Sequence, residues 1–274
     1  MLAWLLIAVA ITVLLALALQ EWRQSRRARF RRPARPRLPV VLAHGFLGFD
    51  EIEVASRKHL YFRGIGAHLE GLGARIYSPR VPPASSIADR AQKLADLIRA
   101  LPEPRVNIVA HSMGGLDARY AISRLGLAGR VASLITIAAP HQGTPLADAG
   151  HALFGKITRL LRRIMDLSAF GDLTTEGMRR FNAAVVDAPG VAYASVVAKS
   201  GRLATNPLLW PSHLYLAETA GPNDGVVPTS SQARGEVVRE IEADHWAQIG
   251  WWSRGFDAAS LYEDLLRELR GRGF

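Results

Sequence analysis

Ser112 stands in the run Val106 to Tyr120, VNIVAHSMGGLDARY, among neighbours suited to making its hydroxyl a nucleophile. A serine oxygen attacks a carbonyl only if it is lifted clear of the chain and its proton has somewhere to go. The first need is local: a sharp strand-to-helix turn presents the side chain at its apex, and small flanking residues let the two backbones pass closely. Ala110, Gly114 and Gly115 are such residues. A helix starting just after Ser112 also aims backbone N–H groups and the positive end of its dipole at negative charge forming beside Oγ. A serine in a small-residue turn is equally plain turn chemistry, so these positions do not decide alone. The second need is a base. His245, in Ala243-Asp244-His245-Trp246, follows a late strand over Glu236 to Ile241, and upstream lies Asn223-Asp224-Gly225-Val226-Val227-Pro228. An aspartate in such a glycine-flanked loop can turn its carboxylate inward to orient an imidazole, although a turn aspartate is as good a local explanation.

The elements that must hold these residues are legible as alternating strands and helices. Val106 to Val109 is a short buried strand, and the helix after Ser112 runs to about Arg124. Pro39 to Ala43 is an earlier apolar strand, followed at once by His44-Gly45-Phe46-Leu47-Gly48-Phe49-Asp50. A loop in that place supplies the second N–H of an oxyanion hole, so Phe46 and Met113 are the expected backbone donors, with Leu47 and Phe49 as apolar walls. His44 is expected to brace the loop rather than move protons. Ala74 to Ser78 reads as a strand and Ser86 to Ala100 as a helix with Ile87, Leu94, Leu97, Ile98 and Leu101 on one side. Val131 to Ala138 and Val191 to Ala198 continue the sheet, and a helix from about Ala258 to Arg270, capped by Asp257, closes the chain. This alternation predicts a mainly parallel sheet covered on both faces, with working loops at the carboxyl ends of its strands. Gly201 to Leu216, with Pro207 and Pro211, reads as irregular.

Composition sets the outer bounds. The chain has 274 residues, is 49% hydrophobic and contains no cysteine, which suits one α/β domain plus an extension and excludes disulfides and thiolate metal sites. Residues 2–19 are apolar apart from Thr12, and as a helix they span roughly 27 Å at about 1.5 Å per residue, enough for a bilayer core. Trp4 and Trp22 flank the run, and eight arginines follow it from Arg23 to Arg37. Those arginines less Glu21 account for +7 of the net charge of +10, leaving +3 for the remainder. The expectation is a transmembrane anchor over 1–22 and a linker over 23–37 lying against anionic headgroups, with the folded part, 38–274, on the cytoplasmic side. A signal peptide cleaved near Ala16-Leu17-Ala18, giving a secreted protein, is the competing reading. Nucleic acid is not an expected partner, because the basic tract lacks interleaved stacking aromatics.

HGFLGFD, VAHSMGGLDARY, VASLITIAAPHQGTPLAD, NDGVVP and the late DHW, in this order, resemble the bacterial triacylglycerol lipases of the α/β-hydrolase superfamily, the Pseudomonas and Burkholderia type and its relatives. The resemblance covers nearly all of Leu38 to Phe274 and departs from the usual elbow in carrying Ala110 for its first glycine. It implies the α/β-hydrolase fold and a serine ester hydrolase acting on acyl-ester lipids, in the chain order nucleophile, acid, base: Ser112, Asp224, His245. It leaves His141 and Asp244 as weaker alternatives for base and acid. It also implies that the amphipathic stretch within about 151–182 is a lid. Relatives of this type often bind calcium through an aspartate two residues after the base, where Ala247 stands here, so neither calcium nor any other cofactor is expected. An acyltransferase using the same triad, and a silent membrane-bound scaffold, are the alternative functions.

Overall fold

Strands buried on both faces read as continuous apolar runs, and the sheet at the centre of this protein is built from them. The computed structural model describes residues 35–46, 52–54, 57–59, 61–150, 171–251 and 255–274. Every residue is buried in β1 (Val40–Ala43), β5 (Val106–His111) and β6 (Val131–Ile137). With β4 (Ile76–Tyr77), β7 (Ala192–Lys199) and β8 (Glu236–Glu242) they form a six-stranded sheet in the order β4-β1-β5-β6-β7-β8. All its pairings are parallel, as the alternation of strands and helices predicts. A separate antiparallel pair joins β2 (Ile52–Val54) to β3 (Arg57–His59).

Helices cover the sheet. α1 (Ile65–Gly71) packs with the C-terminal helix α7 (Ala258–Gly271), while α2 (Ile87–Arg99) packs with the elbow helix α3 (Gly114–Arg124). Alternate residues Val41, Ala43, Ile108 and Ala110 share one buried cluster with Leu94 and Ile98 of α2 and Ala118 and Ile122 of α3. Each fully buried Leu or Ile there contributes about 1.5–3 kcal/mol. The helix starts are capped: Ser86 accepts from the Asp89 N–H ahead of α2, and Asp257 accepts from Ser260 ahead of α7.

The remaining helices are α4 (Thr175–Ala184), α5 (Trp210–Thr219) and the single turn α6 (Thr229–Gln232). Three expectations need correction. The strand expected over Ala74 to Ser78 is only two residues long. The stretch read as irregular holds the first seven residues of α5, because Pro211 falls in its first turn, where a missing N–H costs nothing. The helix α1 was not expected, since Gly64, Gly66 and Gly71 dilute the two residues it buries, Ile65 and Leu69.

Among the described residues no helix is long and apolar enough to cross a membrane. The apolar run 2–19, the arginines before residue 35, Leu47, Phe49 and positions 151–170 of the expected lid lie outside the described residues. The part of that insertion that is described includes most of α4, whose Met178 is wholly buried against Ile87, Met113 and Leu116.

Candidate active site

The register of the sheet decides what stands beside Ser112. Ala43 at the end of β1 pairs with Ala110 near the end of β5, so the loop after β1 arrives next to the turn after β5. Ser112 occupies that turn with φ of 56°, a left-handed conformation that costs an L-residue roughly 1–2 kcal/mol. The surroundings hold it there. A Cβ on Gly45 would lie 2.7 Å from Ser112 Cβ, and one on Gly114 would lie 2.6 Å from the carbonyl oxygens of Ala43 and His44. Only glycine permits these approaches, which is the physical content of the small residues around the serine.

The Met113 N–H at the start of α3 has no acceptor among the described residues. The Phe46 side chain packs against the cluster of Ile87, Met113, Leu116 and Met178, so an apolar wall rises beside both expected oxyanion donors. The loop that carries Phe46 is clamped from beneath. Arg90 of α2, fully buried, donates to the carbonyls of His44 at 2.8 Å and Gly45 at 3.2 Å, and its Nε donates to Asp117 of α3 at 2.8 Å. His44 braces the same loop, as expected: Nε2 accepts from the Val81 N–H at 3.3 Å and Nδ1 donates to the Gly45 carbonyl at 3.1 Å.

The Arg90–Asp117 pair escaped the reading of the sequence. Arg90 lies between Ile87 and Leu94 on the apolar face of α2, and a charge at a core position of an amphipathic helix is the signal that was there to be found. Burial lifts the Asp117 carboxyl from 3.8 to about 7 against the pull of Arg90, and its Oδ1 has no hydrogen-bond partner. With the folded value above the unfolded one, the folded state holds this proton more tightly. The stability Asp117 contributes is therefore complete below about pH 4 and is lost as pH rises through about 7. Urea unfolding should show a decline between about pH 4 and about pH 7 that Asp117→Asn flattens; an unchanged decline in the variant would assign it to another group.

Beyond β7 and β8 the structure brings Asp224 and His245 together. His245 Nδ1 donates to Asp224 Oδ2 at 2.7 Å, both side chains being buried, and the backbone N–H of His245 donates to the Asp224 carbonyl. Asp224 Oδ1 accepts from the N–H groups of Val226 and Val227 at 3.0 and 2.8 Å, so the loop aims the carboxylate. Asp244 does not address the ring beside it: its Oδ1 accepts from the N–H groups of Trp246 and Ala247, and its Oδ2 ties the turn to Asn206 at 2.8 Å. His141 is equally committed elsewhere. Its Nδ1 accepts from Arg119 at 3.3 Å and its Nε2 donates to Thr136, while burial and then the Arg119 charge hold its pKa well below the ordinary value.

His245 stands at the elbow through His111, the residue before Ser112, whose ring centroid is 4.5 Å from its own. Ser112 Oγ is not hydrogen-bonded to His245, a looseness common before substrate binds. His111 is buried, and burial followed by the neighbouring His245 charge keeps it neutral. It accepts from the Tyr61 hydroxyl at Nδ1 and donates from Nε2 to Gln248 Oε1; Gln248 Nε2 donates in turn to Asp224 Oδ2 at 3.0 Å. The arrangement can present a nucleophile, an oriented imidazole and an anion-stabilising corner on one end of the sheet.

The chain is similar to several known proteins. A domain of unknown function, DUF7379, matches residues 84–197. Triacylglycerol lipase 2 of Saccharomyces cerevisiae is 28% identical over 304 aligned positions, covering 87% of this chain and 93% of its own. Triacylglycerol lipase of Pseudomonas fragi is also 28% identical, covering 86% of this chain and 97% of its own. Among solved structures, a metagenomic carboxyl esterase superposes with a TM-score of 0.72 at 24% identity, over 86% of this chain and 76% of its own. The likeness carries the α/β-hydrolase fold.

Proposed function

We propose that this α/β-hydrolase-fold chain, similar to proteins named triacylglycerol lipase, is a serine carboxylic-ester hydrolase that cleaves acyl esters of lipids. The observation that carries the reading is the 2.7 Å Asp224–His245 pair set beside a left-handed serine on a strand-to-helix turn. Ser112 Oγ attacks the acyl carbonyl while His245 Nε2 takes its proton, and Asp224 holds the ring through Nδ1 and stabilises the imidazolium. The N–H groups of Phe46 and Met113 receive the oxyanion. His245 returns the proton to the departing alcohol, and water then releases the acid from the acyl-enzyme by the same steps in reverse. The partly buried Phe46, packed on the apolar cluster of Met113, Leu116 and Met178, suits an acyl chain better than a peptide. Because His245 must be neutral to act, activity falls in acid.

The same reading makes residues 2–19 an anchor and Arg23 to Arg37 a contact with anionic headgroups, with catalysis on the cytoplasmic side of the membrane. The experiment uses the full-length chain. It should be recovered in the membrane fraction, hydrolyse a long-chain acyl ester in detergent, and take up one equivalent of an alkyl fluorophosphonate on the peptide containing Ser112. Label on another residue overturns the nucleophile, and recovery in the soluble fraction without detergent overturns the anchor.

A further inference from the structure

Gln248 lies three residues after His245, fully buried, and every polar atom of its side chain is engaged inside the site. Its amide can face either way, and the surroundings choose. Turned over, its oxygen would oppose the Asp224 carboxylate, acceptor against acceptor. With nitrogen toward Asp224, its oxygen faces His111 Nε2, which must therefore carry the proton of that neutral ring. His111 Nδ1 is then the acceptor, and the Tyr61 hydroxyl, 2.7 Å away, is the donor. One directed chain of donors runs from Tyr61 through His111 and Gln248 to Asp224 Oδ2, the same oxygen that receives His245 Nδ1–H.

We propose that Gln248 is a positioning residue for the acid: held by His111 and Tyr61, its amide shares Asp224 Oδ2 with His245, fixing the carboxylate and setting how strongly its charge bears on the ring. The inference rests on Asp224 and His245 acting as acid and base in the proposed hydrolysis. Sharing matters because a carboxylate oxygen that accepts a second hydrogen bond gives up part of its pull on the first donor. Remove the amide, and the charge of Asp224 falls more fully on His245, which then keeps its proton to higher pH.

The other described titratable and charged groups around these residues each have a place of their own. His111 faces His245 from β5, and Tyr61 lies behind it. His44 packs on Tyr61, with the Arg90–Asp117 pair and Tyr262 of α7 acting on Tyr61 from farther back. Asp244, on the same loop as Gln248, is committed to backbone N–H groups. None of them donates to Asp224 Oδ2, so among the described residues no neighbour replaces the amide.

The test is the pH profile of kcat/KM for a soluble short-chain ester, measured on the wild type, Gln248→Leu, Gln248→Glu and Ser112→Ala, with unfolding midpoints alongside. Gln248→Leu should lose about tenfold in kcat with KM within about twofold, and its acid limb should move up by about half a pH unit or more. Gln248→Glu keeps the acceptor for His111 but sets a second carboxylate against Asp224. It should acquire a falling limb above about pH 7 that the wild type lacks, since only its protonated form can donate to Oδ2. A residue that merely packs would lower the midpoint and leave both limbs in place, and that result overturns the proposal. If Gln248→Leu fails to fold, the limb in Gln248→Glu decides. Full activity in Ser112→Ala would instead remove the hydrolase reading on which the inference stands, a result distinct from unshifted limbs in an otherwise serine-dependent enzyme.

Discussion

Ser112→Ala lowers kcat for ester hydrolysis by about a thousandfold or more while KM and the unfolding midpoint stay close to wild type. The substitution removes one oxygen and nothing that holds the turn. Alanine keeps the Cβ that meets Gly45, and the backbone at this position, with φ of 56°, is as strained with alanine as with serine. The hydrogen bonds that anchor the turn, from the Ser112 N–H to the Ile137 carbonyl and from the Gly115 N–H to the Ser112 carbonyl, are backbone bonds and survive. The loss therefore reports chemistry rather than folding. Water attacking directly can still use the oxyanion corner, which sets the residual rate. A variant retaining more than about a tenth of wild-type kcat would remove Ser112 from the reaction.

Asp224→Asn is the second large effect, expected at about ten-thousandfold in kcat, the scale that a wrong imidazole tautomer produces in a worked serine hydrolase. The two N–H groups of Val226 and Val227 at Oδ1 keep the asparagine oxygen on their side. Its NH2 is then forced to the position of Oδ2, facing His245 Nδ1 and the amide nitrogen of Gln248, donors against donors. The ring responds by presenting the Nδ1 lone pair, which moves the proton to Nε2, the nitrogen that must accept from Ser112. Asp224→Ala imposes no tautomer, so it should lose less than Asp224→Asn despite removing more. Steady-state rates of both variants check this ordering. Equal losses in the two variants would mean that the carboxylate acts through its charge alone.

The part of the site built from local geometry was legible in the sequence. Small residues around Ser112 could be interpreted because a close backbone approach has a stringent local requirement, and the contacts at Gly45 and Gly114 are that requirement seen from the inside. Asp244 was the weaker candidate because a residue next to the histidine rarely points at its ring, and the structure bears this out: Asp244 spends its oxygens on the turn that carries His245. What stayed hidden depends on pairs distant in sequence. Nothing near residue 111 announces a partner at residue 248, and Arg90 was visible as a charge on an apolar helix face without any sign that Asp117 would meet it. The helix α5 was lost for the opposite reason, since two prolines suggested a break where one of them only marks a beginning.

The order of the strands also has a temporal side. The serine turn and the loop of Phe46 belong to β5 and β1, complete within the first 113 residues, whereas the acid and the base follow β7 and β8, the last two strands to be synthesised. β8 finds its place only by pairing with β7, which holds the outer side of β6. A growing chain on the ribosome can therefore form the half of the sheet that carries Ser112 long before it owns a histidine to activate it. On the proposed mechanism the nascent chain stays inert until its final strand docks.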